Sequence, residues 1–257
     1  LATLARILSN GRPDTTGSST RKTAPILITG GGARLGLALA HYYLEHDQPV
    51  VVTYRSKRQS IEQLTERGAL AIPADFSTDA GIMAAAETLC TLCPCLASIV
   101  HNASTWSTDP GDAADLENLA LMMRIHVGAP MFLTESLRPA LMQGESPSVI
   151  HISDHVANRG SDQHMAYAAS KAAMLNLTKS QAKKYAPQIR VNALCPALLE
   201  FRDEDDLAYR EKAQQKSPLG IVPGFQVAID AIVYLQNNHY TTGTVLQLDG
   251  GRPLRMP

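Results

Sequence analysis

The chain has 257 residues, 45% of them hydrophobic and 18% charged, with a formal net charge of −1. That length suits one α/β domain with a large core and leaves no room for two enzyme domains and a linker, and the composition excludes a disordered chain. Near-neutral charge gives no electrostatic reason to expect nucleic acid or an anionic membrane as partner, and no segment approaches the ~18 apolar residues of a membrane span. Residues 1–23 read as a flexible tail because 11–20 are rich in Gly, Ser, Thr and Pro. The same stretch carries Arg6, Arg12, Arg21 and Lys22 and also fits an organellar targeting peptide, against which the plainer tail and a cytoplasmic protein are preferred.

From residue 24 to 257 the pattern alternates. Short β-branched or apolar runs predict strands at 25–29, 49–54, 69–74, 97–100, 148–152, 189–193 and 245–248. Helical spacing predicts helices at 35–44, 60–67, 80–92, 116–141, 167–184 and 225–236. Strand–helix alternation implies a doubly wound α/β domain with a mostly parallel sheet flanked by helices, and ligands bound beyond the carboxyl ends of the strands. Cys90, Cys93, Cys95 and Cys195 read as reduced structural thiols: a zinc site needs about four suitable ligands, and no His or fourth Cys adjoins the first three.

The first strand runs into Gly30, Gly31 and Gly32, then Arg34, Leu35 and Gly36 open a helix. Glycines let the backbone approach a pyrophosphate, and a helix N-terminus offers N–H donors, so this strand–loop–helix predicts a dinucleotide site. The second strand ends at Tyr54 and is followed by Arg55, Ser56, Lys57 and Arg58, with no acid. A carboxylate there would hold a ribose 2′-hydroxyl, whereas a guanidinium binds a 2′-phosphate, so the cofactor is expected to be NADPH with Arg55 and Ser56 as contacts. The alternative is a solvated basic loop.

Tyr167 and Lys171 lie four apart on one helix face just after a strand and loop. Hydride addition to C=O or C=N needs a proton on the heteroatom. An ammonium about 4 Å from the phenol supplies roughly the 3–4 kcal/mol that lowers a tyrosine pKa by two or three units. Tyr167 is therefore expected to be the acid and Lys171 its activator and a ribose ligand.

With these pieces in place, the chain resembles the short-chain dehydrogenase/reductase family over nearly everything after the tail. The motifs are the 29–36 loop, Ala74–Asp75, Asn102–Ala103, Tyr167 with Lys171, Asn192, and the closing 248–251 stretch. The resemblance implies a single Rossmann-like domain, usually in a homotetramer or dimer. It also implies cofactor contacts at Gly30, Arg34, Leu35, Arg55, Ser56, Asp75, Phe76, Asn102, Ala103, Tyr167, Lys171 and Pro196. Departures point further. Arg34 replaces the second glycine of the loop, Asp154 stands where a catalytic Ser is usual, and His126 where a catalytic Asn is usual. Arg34 and Asp154 together are similar to the pteridine reductase branch, and residues 26–40, 74–78, 101–104, 160–173 and 248–255 resemble its bacterial members.

That branch implies a flat pterin stacked on an aromatic ring, here Trp106, with Arg34, Ser104, Asp154 and Tyr167 as further substrate contacts, and Asp154, Tyr167 and Lys171 as the catalytic set. Asp154 is expected to hold a proton if burial raises its pKa. The implied reaction is NADPH-dependent reduction of a dihydropterin, foremost 7,8-dihydromonapterin, with dihydrofolate or dihydrobiopterin as weaker substrates. Plainer readings make Trp106 a core anchor, Asp154 a turn residue and His126 a core histidine. The competing functions are a short-chain carbonyl reductase, which would usually keep the Ser, and a non-enzymatic NADP(H) sensor. Residues 196–224 are expected to form a substrate lid whose acidic patch, 203–206, would oppose a glutamate tail if it faced the site, but reads more simply as a solvated surface helix. Residues 251–255 are expected, in a tetramer, to reach a neighbouring subunit's site.

Overall fold

The computed structural model describes residues 24–254; the 1–23 segment, read above as a tail, lies outside them. Seven strands form one sheet: β1 (Ile26–Ile28), β2 (Val50–Tyr54), β3 (Leu70–Pro73), β4 (Ser98–His101), β5 (Ser148–Ile152), β6 (Arg190–Pro196) and β7 (Val245–Leu248). Their order is β3-β2-β1-β4-β5-β6-β7, and every pairing is parallel. Chain order reverses between β1 and β4, which opens a crevice at the carboxyl ends of those strands.

Strand periodicity sorts the core into two layers. Leu27, Val51, Ile99, Val149 and Val191 lie side by side in register and face one layer. Ile28, Val52, Val100 and Ile150, one residue along, face the other. Helices α1 (Arg34–Glu45), α2 (Gln59–Glu66) and α9 (Gln226–Asn237) cover the second layer through Leu39, Leu64 and Ile232. Helices α3 (Asp79–Leu92), α5 (Ala129–Leu141) and α7 (Met165–Tyr185) cover the first through Ile82, Leu133 and Ala182.

The single helix expected over 116–141 is instead α4 (Ala114–Met123), a π turn over Arg124–Gly128, and α5. Pro130 has no N–H to return to the carbonyl four residues back, so the ladder widens there. Helix α6 (Val156–Arg159) was not anticipated, and the surface helix read at 203–206 lies instead just beyond those acids as α8 (Leu207–Gln214), whose N-cap is Asp206, accepting the Tyr209 N–H at 2.7 Å. Among the described residues, no helix is long and apolar enough to cross a membrane.

Candidate active site

One cleft of about 1130 Å³ opens at the strand carboxyl ends, and the catalytic, cofactor and substrate residues expected from the sequence line it, while His126 does not. The 29–36 loop forms one wall. Gly30 adopts φ +70, and a Cβ there would stand 2.8 Å from the Ala103 Cα. At Gly36 a Cβ would come within 2.3 Å of the Gly30 carbonyl oxygen. Both positions must therefore be glycine for the loop to pack against β4 and α1. The Asn102 amide fastens this loop by donating to the Thr29 and Gly30 carbonyls, at 3.1 and 3.0 Å. Arg34 occupies the left-handed region, φ +49, a cost of about 1–2 kcal/mol that explains why glycine is the easier residue there. Its guanidinium donates to the Glu200 carbonyl at 2.8 Å and lies 5.5 Å from the Phe225 ring, so here it ties the loop to the segment after β6.

The residues present fit a dinucleotide bearing a 2′-phosphate. The α1 N-terminus has no side-chain cap and no acid in its first turn, leaving its N–H groups to the cleft. Beyond β2, exposed Arg55, Ser56 and Arg58 line the cleft. The acid nearby is Asp75 at the end of β3, whose carboxyl is kept low by the Ser77 N–H bond and further by the Arg55 charge. Phe76 is buried in the core beneath it.

Tyr167 donates from its hydroxyl to Asp154 Oδ2 at 3.0 Å. Burial first, then the Asp154 charge, raises the phenol well above its ordinary value. This overturns the expectation that Lys171 lowers it. Lys171 is fully buried, donates to the Ile152 carbonyl at 2.9 Å, and sits 5.6 Å from the Tyr167 ring centroid. Burial pushes its own pKa down to about 8. Asp154 also departs from expectation. Burial raises its pKa, but His155 Nδ1 at 2.8 Å, the Val156 N–H bond and the Lys171 charge outweigh it, and the carboxylate stays ionised. The site is thus a neutral phenol held by a carboxylate.

Behind this pair lies His126, completely buried in the π turn. The Thr105 N–H donates to its Nε2 at 3.3 Å, so that nitrogen carries no proton and accepts the Ser104 hydroxyl at 2.9 Å. Nδ1–H then donates to Ser170 Oγ at 2.8 Å, and Ser170 donates to the Tyr167 carbonyl at 2.7 Å. Burial, with the Lys171 charge, lowers the imidazole to about 2 and keeps it neutral. His126 therefore bonds side chains of the site rather than the backbone alone, and connects the Ser104 loop to the Tyr167 helix.

Trp106 is half-exposed on the cleft wall, which removes the core-anchor reading. The Arg202 guanidinium lies 5.1 Å from its ring and His164 meets it edge-on at 5.0 Å. Arg252, from the segment expected to reach a neighbour, lies against its own chain's cleft with Nη1 3.2 Å from His155 Nε2; Arg255 falls outside the described residues. Sequence reading missed Arg252, His155, Arg159, Lys212 and Lys216 as cleft residues. The 209, 212, 213, 216 spacing was the available signal for the last two.

Residues 32–252 match the family model described as enoyl-(acyl carrier protein) reductase. The chain is 51% identical to the dihydromonapterin reductase of Enterobacter sp. (strain 638) over 90% of this chain and 97% of that one. It is 47% identical to the dihydromonapterin reductase of Klebsiella pneumoniae, again over 90% and 97%. Among solved structures it is similar to FolM alternative dihydrofolate reductase 1 from Brucella suis in complex with NADP, with a TM-score of 0.81 and 27% identity over 91% of this chain and 96% of that one. An all-parallel doubly wound sheet, a glycine loop at its switch point and a Tyr–Lys helix across the cleft accord with these matches, and the chain belongs to the short-chain dehydrogenase/reductase family.

Proposed function

We propose that this chain is an NADPH-dependent pteridine reductase that converts 7,8-dihydromonapterin to 5,6,7,8-tetrahydromonapterin. The observation that carries the reading is the 3.0 Å bond from Tyr167 to Asp154, a carboxylate in place of the usual serine, in a cleft walled by an exposed tryptophan. Relatives at 45–51% identity that bear the dihydromonapterin reductase name support it.

NADPH, when bound, supplies the hydride that adds to pterin C6. The chain's residues do the rest. Gly30, Leu35 and the α1 N-terminus would hold phosphate; Arg55 and Ser56 would hold the 2′-phosphate; Asp75 and Phe76 would meet the adenine; Asn102, Ala103 and Pro196 would receive the nicotinamide end. Trp106 offers a stacking face worth about 0.5–1.5 kcal/mol beyond burial, and Ser104 and Arg34 address the polar rim. Tyr167 holds the proton destined for N5, and ionised Asp154 orients that hydroxyl. Lys171, charged below about pH 8, offsets the negative charge left when the proton moves. Residues 196–224 form the substrate lid, and the assembly is a cytoplasmic homotetramer.

The test is NADPH oxidation with 7,8-dihydromonapterin beside dihydrobiopterin, dihydrofolate and an acetoacetyl thioester. Preference for the first supports the reading. Turnover of the thioester alone would replace it with a carbonyl reductase, and NADPH binding without turnover of any substrate with a sensor.

A further inference from the structure

Four cations line the cleft beside Asp154 and His155, and the chemistry above uses none of them: Arg159, Lys212, Lys216 and Arg252. Their convergence has three structural causes. On α8 and the turn after it, Tyr209, Lys212, Ala213 and Lys216 follow the 3-4-7 spacing of one helical face, and Tyr209, Lys212, Ala213 and Lys216 all line the cleft. The C-terminal turn packs on the end of that helix: the Leu219 N–H donates to the Gly250 carbonyl at 3.3 Å, and a Cβ on Gly250 would stand 3.1 Å from Ser217. That packing carries Arg252 toward Lys216. Finally, Arg159 lies four residues after His155, which Arg252 touches at 3.2 Å.

The acids of the same segment are engaged elsewhere. Asp205 accepts the Arg202 N–H at 2.8 Å, Asp206 caps α8, and exposed Asp203 and Glu204 are not cleft residues. Among the described residues, none of the four cations forms an ion pair with a carboxylate. Burial, then the charges of Arg252, Lys212 and Arg159, push Lys216 below its ordinary value. Asp154 and Asp249 favour the charged form of Arg252 and Asp162 also lines the cleft, but the four cations outnumber these acids; like charges gathered together repel, and an anion between them lowers that cost.

We infer that this end of the cleft binds an anionic group, carboxylate or phosphate, carried on the substituent at pterin C6. The inference rests on the pterin reading and adds a tail specificity to it. An acid tail would gain attraction there in addition to the ring contacts that a neutral-tailed pterin makes equally, so the effect is read within each substrate and not as a ranking of substrates.

Three substrates separate the possibilities: neutral 7,8-dihydromonapterin, its phosphate ester, and dihydrofolate with its glutamate carboxylates. The readout is the ratio of kcat/KM for each anionic substrate to that for the neutral one. Lys212→Gln/Lys216→Gln, and separately Arg159→Gln, are expected to lower that ratio, about tenfold in the double variant. In the unmodified protein, raising salt from about 0.05 to about 0.5 M should raise KM several-fold for an anionic tail and spare the neutral one, a measurement that needs no variant to fold. A ratio that falls only for the phosphate ester identifies phosphate as the ligand, and one that falls only for dihydrofolate identifies carboxylate. Turnover of the neutral pterin with ratios unchanged in both variants and equal salt effects would overturn the inference alone. No turnover of any dihydropterin would remove the pterin reading and this inference with it.

Discussion

Tyr167 and Asp154 are thirteen residues apart in sequence and joined by a hydrogen bond of 3.0 Å, with the phenol as donor. The carboxylate on its far side is 2.8 Å from His155, and its charge also favours the protonated form of Lys171. Replacing Asp154 by Asn keeps the shape and deletes the charge. The Tyr167 and Lys171 pKa values should then both fall, and the alkaline limb of the kcat/KM profile should move to lower pH. Activity at pH 7 should drop at least about tenfold, within the range for a positioned proton-transfer group. An unshifted limb would mean that Asp154 is a turn residue without electrostatic effect on the pair.

In the unmodified protein the same limb should lie near the Lys171 value. Burial lowers Lys171 to about 8, so its charge is present below that pH and lost above it. A kcat/KM for 7,8-dihydromonapterin that falls above about pH 8 fits this assignment. Constant activity to pH 10 would exclude Lys171 from the charge balance of the reaction.

Arg55 is exposed at the cleft beyond β2, close enough to Asp75 for its charge to help keep that carboxyl low. Arg55→Asp should raise the KM for NADPH at least about tenfold and move preference toward NADH, because a carboxylate repels a 2′-phosphate and accepts a 2′-hydroxyl. The measurement is the ratio of kcat/KM for the two cofactors. No change in that ratio would leave Arg55 as a solvated loop residue.

His126 connects Ser104 and Thr105 to Ser170 through both ring nitrogens. His126→Ala strands these partners in a buried site, at about 1–3 kcal/mol for each group left unsatisfied. His126→Gln can replace one bond but not both directions. Its expected signature is a raised KM for the pterin with the KM for NADPH nearly unchanged, since the loop it fixes carries Ser104 and Trp106. Equal losses for both ligands would indicate a general folding role.

Three fully buried histidines set an acid limit on stability. Burial lowers His126 to about 2, His151 to about 3, and His101 well below the usual 6.5. Because the folded values lie below the unfolded one, the unfolded chain takes up protons first as pH falls through about 6.5. The histidines' full contribution is thus present above that pH and lost below it. Each removes up to about 1.4 kcal/mol per pH unit in that window. Tm should therefore decline steeply between pH 6.5 and 5; a flat Tm across that interval would contradict neutral burial of these rings.

Much of the architecture was legible because it is written in short-range pattern. Apolar runs such as 26–28 and 50–52, alternating with amphipathic helices, suffice for a parallel doubly wound sheet, and glycines at 30 and 36 mark where backbone must meet backbone. The break at Arg124–Gly128 was missed because a π turn leaves no change in apolar spacing, only a proline two residues beyond it. Helix α8 was placed too early, on the acids at 203–206, because an exposed polar helix has little apolar periodicity to fix its bounds.

The sequence by itself determined the alternation of strands and helices, the phosphate loop, the absence of acid after β2, and the Tyr167–Lys171 spacing, all local properties of a few consecutive residues. Only the tertiary structure decided the sign of the electrostatics. Whether Lys171 lowers the Tyr167 pKa or Asp154 raises it depends on distances and burial across β5 and α7. Which face of residues 203–216 meets the cleft likewise depends on how α8 packs against the C-terminal turn. Coulomb energies depend on separation and local dielectric, and neither is encoded in spacing along the chain.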